Sequence, residues 1–394
     1  MSSLANAGLA LVIARSVSVT NYGAFAVAFS IYSLALAVSS AICGQVITIR
    51  YSSLTPEKQI EAVRDASGVV LAAGLIFSVV VTLIGLCLHG PLRVCLITTG
   101  IFLPVLVLQD LWRTVFISFG VPRQAFINDA VWTLLQVILI ILLLLHASRN
   151  VVAFLVSWGV AATVAAALGV RQAKVRPSIR GARRWLAGHL EISLPSAASS
   201  LAGLGAAQVA SILIAAYGSI EDVGAIRASQ TLLGPLNIFG FAATAFAIPE
   251  LTRRKLSSSQ LVKAALLLSG ALVVLDAIWG TILLLIPNAL GRGLLGDTWT
   301  NARSALPGYI VFTCVLASTV GASTVIRALN RSVYIFWISI VLGPSIMIFA
   351  TVGAHKFGAA GASAGFAIAA AVSMVPAWWL FAIAVRRGKR VLQN

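Results

Sequence analysis

AFINDAVWTLLQVILIILLLLH, residues 125–146, carries a single charged side chain, Asp129, in an otherwise apolar run. A helix needs about 20 apolar residues to cross a bilayer, and this run supplies them. Similar runs fill the chain. They read as spans at 3–18, 22–44, 66–88, 95–118, 125–146 and 150–170, then 193–217, 223–248, 261–286, 305–328, 332–352 and 359–385. The 394 residues are 59% hydrophobic and 10% charged, with a mean hydropathy of +0.99. Water would not tolerate that much apolar surface. Backbone polar groups in lipid must be satisfied inside the segment, which favours helices. The alternating ten-residue strands of an outer-membrane barrel are absent from the sequence. The expected fold is therefore an all-α polytopic membrane protein of about twelve transmembrane helices.

Charge sets the expected orientation. Lys and Arg concentrate in short cytoplasmic loops. With the N-terminus inside, 21 of the 28 Lys and Arg residues fall in inner gaps and the tail, six fall in outer gaps, and Arg227 lies within a span. The distribution places both termini in the cytoplasm, in a cytoplasmic (inner) membrane. It also accounts for the net charge of +17 without a nucleic-acid partner. Anionic membrane lipids are the natural counterpart. The first span has no basic stretch ahead of its apolar core, so it is not a cleavable signal peptide.

The longest inner gap, 171–192, divides the chain. The expected organisation is a six-helix lobe over 1–170, a basic linker at 171–192, a second six-helix lobe over 193–385 and a basic tail at 386–394. The gap holds six Lys or Arg residues, Pro177 and Trp185. It reads as a linker lying partly on the membrane surface, held there by charge and Trp; a plain solvated connection is the alternative. The halves echo each other. At an offset of 201 residues, Ile13, Ala14, Ser18, Gly23 and Ala24 meet identical residues, and Asn21 meets Asp222. Two bundles in the same orientation, with a site near the midplane, are a transporter architecture.

Polar groups inside spans are costly and default to a functional reading. Arg227, Gln230, Gly234 and Asn237 share one face of the eighth span. Asp129, Thr133 and Gln136 do the same in the fifth. Asp110 and Arg113 stand one turn apart in the fourth, close enough to pair. Asp276 sits mid-span in the ninth, with Ser269 and Gly280 on its face. Gln208 lies inside the seventh, Arg15 near the outer end of the first, and Arg50 at the inner end of the second. Arginine suits a phosphate ligand through paired, charge-assisted hydrogen bonds. Arg15, Arg50, Asp110, Arg113, Gln208, Arg227, Gln230 and Asn237 are thus the candidate substrate-cavity residues. Asp129 and Asp276 are candidates for ion coupling. Interhelical bonding or snorkelling is the competing reading for each. Pro195, Pro235, Pro249, Pro344 and Pro376 fall in or beside spans and would kink them.

Enzyme signatures are missing. His89, His146, His189 and His355 are scattered. Cys43, Cys87, Cys95 and Cys314 lack metal-ligand spacing, and no phosphate loop is present. The expectation is a transporter with no metal, no cofactor and no catalytic residues.

Three stretches carry a family resemblance. ARSVSVTNYGAFAVAFSIYSLALAVSS (14–40) resembles the first hairpin of polysaccharide flippases of the multidrug/oligosaccharidyl-lipid/polysaccharide exporter superfamily. VGAIRASQTLLGPLNIFGFAATAFAIPELTRR (223–254) is similar to that family's eighth span, which ends in Pro and a basic pair. FGAAGASAGFAIA (357–369) resembles its Gly-rich final span. The resemblance implies two lobes in a V, a cationic cavity, and flipping of a polyprenyl-diphosphate-linked oligosaccharide by alternating access. A polysaccharide polymerase or glycosyltransferases would be the protein partners. The related lipid II flippases place further arginines in the first-lobe cavity; here the corresponding stretch of the eighth span has Gln230, with Arg227 one turn earlier, which points to a different lipid-linked oligosaccharide. An ion-coupled efflux pump for organic cations, or a non-transporting envelope-synthesis scaffold, are the alternatives.

Overall fold

In the computed structural model, which describes residues 2–52, 54–253, 257–329 and 331–391, every regular element is helical. α1 spans Ser2–Ser16 and α2 Val19–Ser39, the latter continuing through two π-helical turns, Ser40–Gly44 and Ile47–Tyr51. α3 (Pro56–Cys87), α4 (Gly90–Ser118), α5 (Pro122–Leu145) and α6 (Val151–Ala173) follow. A 3₁₀ turn, Ile179–Gly181, leads into α7 (Ala182–Ser200). A π-helical turn, Leu201–Gly205, joins it to α8 (Ala206–Tyr217). Then come α9 (Ile220–Arg253), α10 (Ser258–Leu285), α11 (Asn288–Leu295), α12 (Thr298–Ala328) and α13 (Ser332–Val391).

Local chemistry places the ends. Ser18 caps α2 by accepting from the Asn21 N–H, and Asn150 caps α6 by accepting from Val152. Ser257 and Gln260 form a reciprocal capping box at α10, which satisfies two otherwise orphaned donors. Proline opens α3 and α5, where its missing N–H costs nothing.

Among the described residues, nine helices are long and apolar enough to cross a membrane, or ten if the α7–α8 pair, bent by 51°, is one broken span. The expected twelve runs are all helical, and two particulars explain the difference. α1 has only fifteen residues, about 22 Å at 1.5 Å per residue. α13 is a hairpin: Phe357 and Gly358 leave helical geometry, with Gly358 at φ 60°. Its two arms lie back to back. A Cβ on Gly361 would sit 2.1 Å from the Gly353 carbonyl oxygen, and one on Gly365 would sit 2.2 Å from that of Phe349. Only glycine permits that approach. Large apolar side chains such as Ile76, Leu145, Phe246 and Leu285 are exposed, as lipid-facing residues are. The chain is a multi-pass membrane protein.

Contacts divide it into two compact units, Met1–Gln208 and Val209–Asn394. The first unit is built on aromatic packing. Tyr22, Phe25, Phe29 and Tyr32 run down α2, and Phe29 and Tyr32 meet the Trp158 indole. The second packs Leu261, Ala265, Ala322, Val325, Ile326 and Phe381 into one apolar cluster.

The basic gap is not an extended linker. Its first residues finish α6, where Lys174 takes a left-handed cap. Ser178 donates its N–H to the Arg64 carbonyl at 3.1 Å, and α7 begins at Ala182. Trp185 is only 3% exposed, so it does not anchor the gap on a membrane surface. Its indole N–H donates to the Ile42 carbonyl at 3.4 Å, and Ser193 donates to the same oxygen at 3.1 Å. Ile42 lies in a π-helical turn, whose altered ladder re-aims carbonyls. At the tail, residues 386–391 continue the backbone of α13, and 392–394 lie outside the described residues.

Candidate functional site

Each unit gathers polar side chains at membrane depth. In the first, Asp110 and Arg113 form the ion pair that their spacing predicts. Asp110 is buried, whereas 31% of the Arg113 side chain is exposed. The Tyr32 phenol is within electrostatic reach of both. Beside them, the Gln109 amide donates to Asp129 Oδ1 at 3.2 Å and to Asn128 Oδ1 at 3.4 Å. Asn128 in turn donates to the Ala165 carbonyl at 2.8 Å and to Gln172 at 3.2 Å. Three helices, α4, α5 and α6, are thereby tied through side-chain amides. The network holds two carboxylates against one guanidinium.

Two further residues extend this face of α5. Gln136 is 1% exposed and neither amide atom has a partner; the Thr133 hydroxyl is likewise unpartnered. A buried polar group without a partner costs about 1–3 kcal/mol and in native proteins is commonly met by bound water or an ion. Among the described residues no group of three or more His, Cys, Asp or Glu is placed to hold a metal ion.

In the second unit, Arg227 donates to Gln230 Oε1 at 3.4 Å, one turn along α9. Tyr309, buried against Phe312 and Phe366, hydrogen-bonds Gln230 and lies in the field of Arg227. Two turns on, Asn237 lines a cavity of about 330 Å³ with Asp276, Thr313, Ser323 and Arg327. Apolar side chains of α9, α10 and α12, among them Leu236, Leu272 and Leu316, form the rest of its wall. Asp276 is 7% exposed and hydrogen-bonds Thr313. The other two residues of its face pack onto α12: Ser269 accepts from the Gly321 N–H at 2.9 Å, and Gly280 abuts Ile310.

The candidate residues therefore separate into groups. Asp110, Arg113 and Asp129 share the first network. Arg227 and Gln230 stand together with Tyr309, and Asn237 shares a cavity with Asp276. Arg50 joins none of these; it pairs with Glu191 at 3.1 Å at the Arg-rich end of the first unit. Arg15 is exposed and Gln208 half-buried, and among the described residues neither is hydrogen-bonded or ion-paired to another candidate residue. Arg254 and Lys255, in the basic stretch after Pro249, lie outside the described residues. Gln109, Asn128, Gln172, Tyr309 and Thr313 complete the groups and were not singled out by sequence. Gln109 and Asn128 had a signal, since each directly precedes a candidate aspartate.

The chain matches no protein-family model and no curated protein. Its fold, however, is that of solved transporters. One is an inward-facing multidrug resistance MATE family transporter of the MOP superfamily, with a TM-score of 0.73 at 14% identity over 99% of this chain and 96% of that one. Another is the lipid II flippase MurJ in an inward closed conformation, with a TM-score of 0.74 at 12% identity over 99% and 89%.

Proposed function

We propose that this protein is a transporter of the inner membrane that flips a polyprenyl-diphosphate-linked oligosaccharide by alternating access, with both termini cytoplasmic. The observation that carries the reading is Arg227, a guanidinium at membrane depth bonded to Gln230 and set beside the Tyr309 phenol. A planar guanidinium carries five N–H donors in a fork that matches a diphosphate, and charge-assisted bonds of that kind are strong in low dielectric. Arg113, partly exposed and tied to Asp110, supplies a second cation in the other unit. The lipid II flippase among the structural neighbours supports an amphiphilic, phosphate-bearing cargo. Asp129 or Asp276 would couple transport to an ion gradient, and a polymerase or glycosyltransferases would take or supply the cargo. The test is translocation of a lipid-linked oligosaccharide by the purified chain in vesicles.

Ion-coupled efflux of organic cations is the second reading. Asp276 favours it, as a buried carboxylate in a cavity of about 330 Å³ with apolar walls. So does the MATE transporter among the neighbours. Gradient-driven cation uptake into inverted vesicles, without oligosaccharide flipping, would decide for it.

A further inference from the structure

At the Arg-rich end of the first unit, a cleft of about 360 Å³ lies apart from both polar groups. Three segments build it: the π-helical end of the second span, the first turns of α3, and the first turns of α7. Its wall is aromatic and locked. Tyr51 stacks on Trp185 with ring centroids 5.5 Å apart and planes 22° apart. His189 Nδ1 is 2.7 Å from the Trp185 carbonyl, which only accepts, so this nitrogen carries the proton. In the neutral imidazole, Nε2 then accepts from the Tyr51 hydroxyl at 2.9 Å.

The rim is charged in both signs. Lys58 and Arg184 line the cleft with Glu61 and Asp65, yet none of the four makes a side-chain hydrogen bond or ion pair among the described residues. Arg50, the fifth charge, is held by Glu191. Asp65 is fixed by packing: a Cβ on Gly181 would sit 2.0 Å from its Oδ1. Two cations and two carboxylates thus line one cleft without forming an ion pair among themselves. A ligand with one group of each sign, a phosphate and an ammonium, would complete both sets. The cleft lies at the ends of two spans, and Ile49, Leu54 and Ile60 beside it are exposed. A headgroup with its acyl chains in the bilayer reaches it without leaving the membrane.

We propose that this cleft binds the zwitterionic headgroup of a phospholipid, a phosphate ester carrying a primary ammonium, with Lys58 and Arg184 on the phosphate and Glu61 and Asp65 on the ammonium. The site is independent of the cargo.

The experiment uses the full chain in mild detergent with equal phosphatidylethanolamine, phosphatidylglycerol and phosphatidylcholine. Retained lipid is counted by native mass spectrometry. Wild type should keep phosphatidylethanolamine preferentially. Lys58→Ala with Arg184→Ala, and separately Glu61→Gln with Asp65→Asn, should each weaken retention about tenfold, the scale of one charge-assisted hydrogen bond. Arg183→Ala removes the same charge next door, outside the cleft, and should change nothing. Thermal melting confirms that each variant is folded. Equal or better retention of phosphatidylglycerol overturns the assignment. So does an Arg183→Ala loss matching that of Arg184→Ala, which would mean a diffuse basic surface. Displacement of the lipid by millimolar free phosphoethanolamine would move the site to soluble phosphoamines and overturn the lipid assignment.

Discussion

Gln109 on α4 donates its amide N–H to Asp129 on α5 at 3.2 Å, with both side chains buried. The bond joins a carboxylate predicted to be functional to a neighbour that is neutral in charge. It also makes the first network a structural as well as a chemical unit. Gln109→Leu removes the donor and leaves a buried acceptor, at a cost of about 1–3 kcal/mol. The variant should melt lower in detergent than wild type. Gln109→Glu should be worse still, because it sets a third carboxylate beside Asp110 and Asp129. A Gln109→Glu variant that melts at or above the wild-type temperature would contradict this placement.

The Asp110–Arg113 pair invites a double-mutant cycle. Removing one member of a buried pair costs about 3–5 kcal/mol, but Arg113 is partly exposed, so about 1–3 kcal/mol is expected here. Arg113→Met should destabilise by that amount. Asp110→Asn in the same chain should recover a good part of it, because the uncompensated carboxylate is gone. Additive losses across the cycle, read by chemical denaturation, would show that the two side chains do not interact.

The α13 hairpin rests on glycine. Gly361→Val would drive a branched side chain into the Gly353 carbonyl, where even a single Cβ would sit at 2.1 Å. Overpacking of this kind costs about 1–3 kcal/mol even where side chains can yield, and a backbone carbonyl yields less. Loss of monodisperse protein by size-exclusion chromatography is expected. Gly293→Ala, where no neighbouring atom lies within 4 Å, is the matched control and should elute as wild type.

Much of this architecture is legible in sequence because lipid leaves the backbone one solution. Each apolar run of span length is helical, and positions one turn apart, such as Arg227 and Gln230, do meet. What sequence missed is tertiary. Trp185 looks like an interfacial anchor because it sits among arginines, but the π-helical turn at Ile42 offers it a buried carbonyl. The prolines marked expected bends, yet the α7–α8 pair is bent by 51° across Leu201–Gly205, where there is no proline, while the break at Phe357–Gly358 falls in the expected gap between the last two spans. At the second of these Gly358 takes a φ of 60°, open to glycine at little cost. Gln109, Asn128 and Thr313 are uncharged like Gln230 and Asn237, which the sequence does mark, but they fall on neither of the polar stripes that it shows. The packing of neighbouring helices shows that Gln109 holds Asp129 and Thr313 holds Asp276, with Asn128 bracing Gln109.

The expected topology is tested directly. Reporter fusions after Gly218, between α8 and α9, and after Asn394 should report opposite faces of the membrane, with the second cytoplasmic. Matching signals would remove the charge argument on which the orientation stands.

Arg227 decides between the two transport readings. If it grips a lipid diphosphate, Arg227→Ala should lose most flipping while expression and membrane insertion persist. Arg227→Lys should restore only part, because an ammonium keeps the charge but not the paired hydrogen-bond geometry. Gln230→Leu, which removes the acceptor that orients the guanidinium at 3.4 Å, should fall between wild type and Arg227→Ala. The rate of oligosaccharide translocation in reconstituted vesicles reads all three. Full activity in Arg227→Ala would leave the guanidinium as an interhelical contact and shift the phosphate-binding role to Arg113. If Asp276→Asn then abolished the response to an ion gradient in the same vesicles, cation efflux would become the better account of the chain.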